Sequence, residues 1–140
     1  MKTRMLPAVL CLSIAAGSGI ALAEDATFDV SFMTPETAMK VAKVSLETCR
    51  GKGYQVAVVV VDRMGVPQAM IRDRFAGAHT PDTAFRKAWT AVSFREDTVA
   101  LAKNTGTGTP QAGARQITNA LMLGGGVPIE AGGSIVGWLL

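Results

Sequence analysis

The sequence predicts an α+β fold built around an antiparallel sheet. Three observations carry that reading. A β-branched run from Tyr54 to Val61 is followed by a turn and a second apolar segment. Two Thr-Pro-acid triplets, Thr34-Pro35-Glu36 and Thr80-Pro81-Asp82, have the form of helix starts. Near the end, short apolar segments are separated by glycines. Helix, hairpin, helices and then strands is an order that segregates the element types, as α+β domains do.

The first residues form a separate unit. Met1-Lys2-Thr3-Arg4 is basic, Met5 to about Ala16 is apolar, and Ala21-Leu22-Ala23 is a small-x-small site followed by Glu24-Asp25. That is the order of a secretory signal peptide. Residues 1–23 are therefore expected to be cleaved, leaving 24–140 as one domain in the periplasm or outside the cell. A spanning helix needs about 20 consecutive apolar residues, and Ser13, Gly17, Ser18 and Gly19 dilute this run, so no membrane span is expected after cleavage. A lipoprotein is disfavoured because Cys11 lies early and follows bulky Leu10.

Lys2 and Arg4 account for two of the three positive charges in the net +3, so the mature chain carries +1. With no basic stripe and no interleaved aromatics, nucleic-acid binding is not expected. Of the two cysteines, Cys11 leaves with the signal and Cys49 remains. Cys49 falls on the apolar face of a predicted helix, where a free thiol packs as a small hydrophobe.

The elements follow in order. Phe28 to Phe32 alternates and predicts a short edge strand. The first helix opens at Thr34 and carries Ala38, Val41, Ala42, Leu46 and Cys49 at helical spacing until Gly51 and Gly53 end it. Tyr54 to Val61 predicts a central strand buried on both faces. Asp62-Arg63-Met64-Gly65 turns the chain into a second strand, Pro67 to Arg72. After the loop Asp73 to His79, Thr80 is expected to cap a helix with Ala84, Ala88, Ala91 and Val92 inward, Phe85 and Trp89 widening that face, and Arg86 with Lys87 as its polar edge. A short helix follows from Asp97 to Lys103. Ile117 to Leu123, Val127 to Glu130 and Ser134 to Leu140 then predict a glycine-punctuated meander.

Several chemistries are excluded by context. Gly106-Thr107-Gly108 follows a helix and Gly124-Gly125-Gly126 sits between predicted strands, so neither forms the strand–glycine loop–helix unit that cradles phosphate. One histidine, His79, cannot supply a zinc site with a lone helical cysteine. A Ser-His-Asp arrangement using Asp73 or Asp82 lacks a nucleophile elbow. Haem escapes the ligand count, because the macrocycle brings four nitrogens and one axial histidine suffices. Arg72, Arg74, Arg86 and Lys87 near His79 supply cations for propionates, and Phe75, Phe85 and Trp89 supply apolar contact.

At these residues the chain resembles the haem-degrading or haem-binding GlcG/HbpS-like family. The resemblance is carried by Val58 to Arg63 with Gly65, Arg72-Asp73, Gly77-Ala78-His79-Thr80-Pro81-Asp82-Thr83-Ala84 and Arg86 to Ala91. Leu123 to Ile129, Gly132-Gly133 and Ile135-Val136-Gly137 complete it. It implies a profilin/PAS-like antiparallel sheet flanked by helices, a haem or related tetrapyrrole ligand, and assembly as a homo-oligomer. It makes His79 the candidate axial ligand to haem iron, and the cations read above put Arg72 and Arg86 or Lys87 near the propionates. It also implies a shortened final strand and a missing C-terminal helix, since the sequence ends at Trp138-Leu139-Leu140. The function expected is an exported haem- or tetrapyrrole-binding protein. The alternatives are a haem-degrading or small-acid-processing enzyme using His79 as acid/base, and a signalling or assembly subunit whose ligand is incidental.

Overall fold

The computed structural model describes residues 27–140, so the expected signal peptide lies outside the described residues. Helix α1 spans Pro35–Gly51 and the hairpin strands are β1 (Ala57–Asp62) and β2 (Pro67–Arg72). Helices α2 (Thr80–Phe94) and α3 (Thr98–Asn104) follow, then a 3-10 turn at Ala112–Gln116 and the strands β3 (Val127–Ala131) and β4 (Ser134–Leu139). The four strands form one antiparallel sheet in the order β2-β1-β4-β3. The expected α+β architecture is present, with a helix layer on each face.

Strand β1 is buried along its whole length because the sheet is covered on both sides. Val58 and Val60 face α1, meeting Ala38, Ala42 and Leu46 together with Met33 and Val136. Val59 and Val61 face α2, meeting Ala84, Ala88, Ala91, Val92 and Trp138. Small alanines at helical spacing let α2 lie close to the sheet, and Trp138 fills the remaining depth. Each fully buried valine contributes about 1.5–3 kcal/mol relative to exposure. At the hairpin, the buried Asp62 carboxylate accepts from the Met64 and Val66 amides (2.8 and 3.0 Å) and from Gln68 Nε2 (3.0 Å), which fixes the turn.

Four expectations change. Phe28 to Phe32 forms no strand; Phe28 and Phe32 are exposed and neither joins a core cluster that would hold the segment on the sheet. Ile117 to Leu123 forms no strand either. Its backbone is claimed by α2: the Leu121 amide donates to Thr90 Oγ1 (2.8 Å), and the Arg86 guanidinium donates to Asn119 O and Ala120 O (3.4 and 3.1 Å). Its side chains Ala120 and Met122 pack on Leu101 of α3, so the expected meander reduces to the β3–β4 hairpin. Thr80 does not cap α2; its hydroxyl donates back to Gly77 O (2.8 Å), and His79 holds the cap position. Lys87 is not on the polar edge but buried, at 9 % exposure.

One ion pair ties α1 to the loop after β2. Arg50 donates through Nε and Nη2 to the two carboxylate oxygens of Asp73 at 2.9 Å each, and Asp73 is only 1 % exposed. The hydrogen bonds from Arg50, aided by the Arg74 amide and outweighing burial, hold the Asp73 carboxyl below its ordinary pKa. A carboxylate depressed in the fold stabilises it fully above the unfolded value of about 4, and that stability drains away as pH falls through the folded pKa. Thermal melts from pH 7 to pH 2 should therefore show a loss of stability beginning below about pH 4. Asp73→Asn should start less stable at pH 7 and lose less on acidification; a parallel pH profile in that variant would remove the pair from the acid response.

Candidate functional site

Helix α2 presents two stripes to two different neighbours. Residues three and four apart are neighbours on a helix, so the rows Asp82–Arg86–Thr90 and His79–Thr83–Lys87 run side by side along α2. The first stripe holds the 117–123 strap, as described above, with Arg86 also 3.9 Å from Asp82. Thr83 and Lys87 of the second stripe line a cavity of about 370 Å³, and His79 stands outside its lining.

The cavity lies where α1, the start of β1, the N-terminal half of α2 and the end of β4 converge. Ser45 and Cys49 come from α1, Gln55 to Val58 from β1 and the residues before it, and Thr80, Thr83 and Lys87 from α2. Gly125, Leu139 and Leu140 close it. The expectation that Cys49 packs as a small hydrophobe is met in part, since it is half-buried at this wall.

Lys87 dominates the electrostatics. Burial pushes its ammonium below the ordinary lysine pKa, and it has no carboxylate partner among the described residues. Its head group rests on Gly125: a Cβ there would stand 2.8 Å from Lys87 Nζ and 2.6 Å from Leu140 Cδ1. The glycine run predicted as a turn between strands therefore has a second duty, leaving room for a buried cation.

The other candidate residues surround this point without all entering it. His79 is exposed at the N-cap of α2, one turn above Thr83, whose amide and hydroxyl both donate to His79 O (3.0 and 2.9 Å). Its imidazole folds over Gly77, where a Cβ would come within 2.7 Å of Cε1. Arg72, at the end of β2, donates to Ala76 O and so braces the loop that carries His79. Arg86 points to the strap. His79 and Lys87 thus share a face, while Arg72 and Arg86 are committed to main-chain carbonyls. Among the described residues no carboxylate bonds His79: Asp73 is held by Arg50 and Asp82 lies by Arg86. No Ser-His-Asp arrangement is formed among the described residues.

Thr83 and Gln55 were not singled out from the sequence. For Thr83 the signal was available, four residues after His79 and four before Lys87. Gln55 is brought in by the loop, its Oε1 accepting from the Phe75 amide (3.2 Å), and nothing local marks it.

Fold and site together define a three-layer α+β domain with a ligand-sized cavity between sheet and helices. The chain belongs to the HbpS-like haem-degrading family: the family model described as "Haem degrading protein HbpS-like" matches residues 33–140. The crystal structure of HbpS is 34 % identical with a TM-score of 0.73, over 81 % of this chain and 78 % of that one. A double mutant of Streptomyces reticuli HbpS is 33 % identical with a TM-score of 0.73, over 95 % of this chain and 84 % of that one. The PduOC:heme complex shares the fold at 22 % identity and a TM-score of 0.67, over 78 % of this chain and 80 % of that one. No curated protein sequence matches the chain.

The donor set fits haem in kind: one exposed imidazole, an apolar cavity and a buried cation on the same helical face. It fits less well in size. A tetrapyrrole of about forty non-hydrogen atoms needs the upper part of the roughly 300–1,000 Å³ range of ligand sites. A cavity of about 370 Å³ takes an edge of it.

Proposed function

We propose that this is an exported haem-binding protein that holds one edge of the macrocycle at the mouth of the α1–β1–α2 cavity. His79 would supply a nitrogen to the iron and Lys87 would meet a propionate. Arg72 and Arg86 act by bracing the loop and strap that border the site. The observation that carries the reading is the α2 row His79, Thr83 and Lys87, of which Thr83 and Lys87 line the cavity, in a chain of the HbpS-like family. Bound haem would supply the redox and gas-ligand chemistry of its iron, while the protein's own residues orient and partly desolvate it. Export rests on the charge and small-residue order of residues 1–23 and places the domain in the periplasm or outside the cell. No helix of the described residues is long and apolar enough to cross a membrane. Homo-oligomerisation belongs to the same reading, supported by the partly exposed apolar groove between α1 and β2 at Met39 and Met70.

Titrating haem into the protein should produce a Soret band, shifted or weakened in His79→Ala. Absence of a Soret change in the wild type would overturn haem binding; an unchanged spectrum in the variant would remove His79 as the ligand. The family description favours one rival, haem degradation. With reductant, oxygen and catalase present, a binder keeps its Soret absorbance and a degrading enzyme loses it.

A further inference from the structure

We propose that the Lys87 cavity is also a binding site for a free monocarboxylate with a short apolar body. The proposal shares its cavity with the haem reading but does not depend on it.

Lys87 as a residue is nine-tenths buried, lines the cavity and has no acidic partner among the described residues, so no described carboxylate neutralises its charge. An anion entering the cavity would do so, and hydrogen bonds to a charged group in a partly desolvated site are the strong ones. The neighbouring hydroxyls do not compete as donors, because Thr80 Oγ1 and Thr83 Oγ1 already donate to Gly77 O and His79 O.

Lys87 Nζ is a single cationic donor at this wall, which suits a single carboxylate.

The walls decide the rest of the ligand. Val56, Val58, Leu139 and Leu140 are apolar, so the body attached to the carboxylate must be apolar as well. At ~30 Å³ per small group, about 370 Å³ holds roughly a dozen non-hydrogen atoms. Octanoate is of that size.

Calorimetric titration of the full chain with octanoate, octan-1-ol and acetate tests the proposal. Octanoate should bind at least about tenfold more tightly than either control, since the alcohol lacks the charge and acetate the body. Lys87→Met, which keeps length and removes charge, should weaken octanoate by about tenfold or more and leave octanol unchanged. Equal binding of octanoate and octanol by the wild type would overturn the proposal, as would unchanged octanoate affinity in a folded Lys87→Met. The wild-type comparison stands alone if that variant fails to fold. Neither readout involves haem, so failure here and failure of the Soret titration are separate results.

Discussion

Trp138→Ala should lose about 3–5 kcal/mol of stability, the range for truncating a buried tryptophan. Trp138 is 2 % exposed, in β4, opposite Val61 on one side and Pro128 on the other. Its indole packs into the layer made by Ala84, Ala88, Ala91 and Val92 of α2 with Val59 and Val61 of β1. Three of those helix residues are alanines, which have no side-chain atoms left to move into a void. The cavity would stay open, and the cost of such substitutions rises with the volume that cannot collapse. Urea unfolding of the wild type and variant measures it, with the midpoint falling at unchanged slope if only the native state is affected. A midpoint within error of wild type would show that β4 does not seat its indole against α2.

What was legible in the sequence was what local chemistry decides. Helix α1 announced itself through Thr34, whose hydroxyl accepts from the Thr37 amide (3.3 Å), and through Pro35 at its first position. β1 was legible because Val58 to Val61 resists helix and is apolar on both faces. The 117–123 strap was not. Its residues suit a strand, but its backbone partners are Arg86 and Thr90, about thirty positions earlier, which no local pattern reveals. The Arg50–Asp73 pair was hidden for the same reason, joining a helix end to a loop across 23 residues. Lys87 is the instructive case. Its position, three after Ala84 and four before Ala91, is on the inward phase of α2, but its charge argued for the surface. Periodicity was the better guide, and the conflict between residue type and phase marked the site. His79 was visible as the only histidine at a helix start; that its ring rests on Gly77 came only from the folded loop.

Gly125→Ala should both strain the backbone and close the cavity, and a second glycine separates the two effects. Gly125 has φ +124° and Gly133, in the β3–β4 turn, has φ +76°, both in the region that side chains disfavour. Each alanine variant should lose about 1–3 kcal/mol for that reason. Around Gly133 a new Cβ meets nothing within 4 Å, so its effect should end there. At Gly125 the Cβ meets the far ends of Lys87 and Leu140, both flexible and both lining the cavity. Displacing them changes the space a ligand would occupy. Octanoate affinity should therefore fall by about tenfold or more in Gly125→Ala and stay at the wild-type value in Gly133→Ala, with similar losses in melting temperature for both. Equal affinity in the two variants would mean that the ligand does not reach the Lys87 head group. A loss confined to Gly125→Ala would tie the glycine run to ligand binding, and not merely to turning the chain.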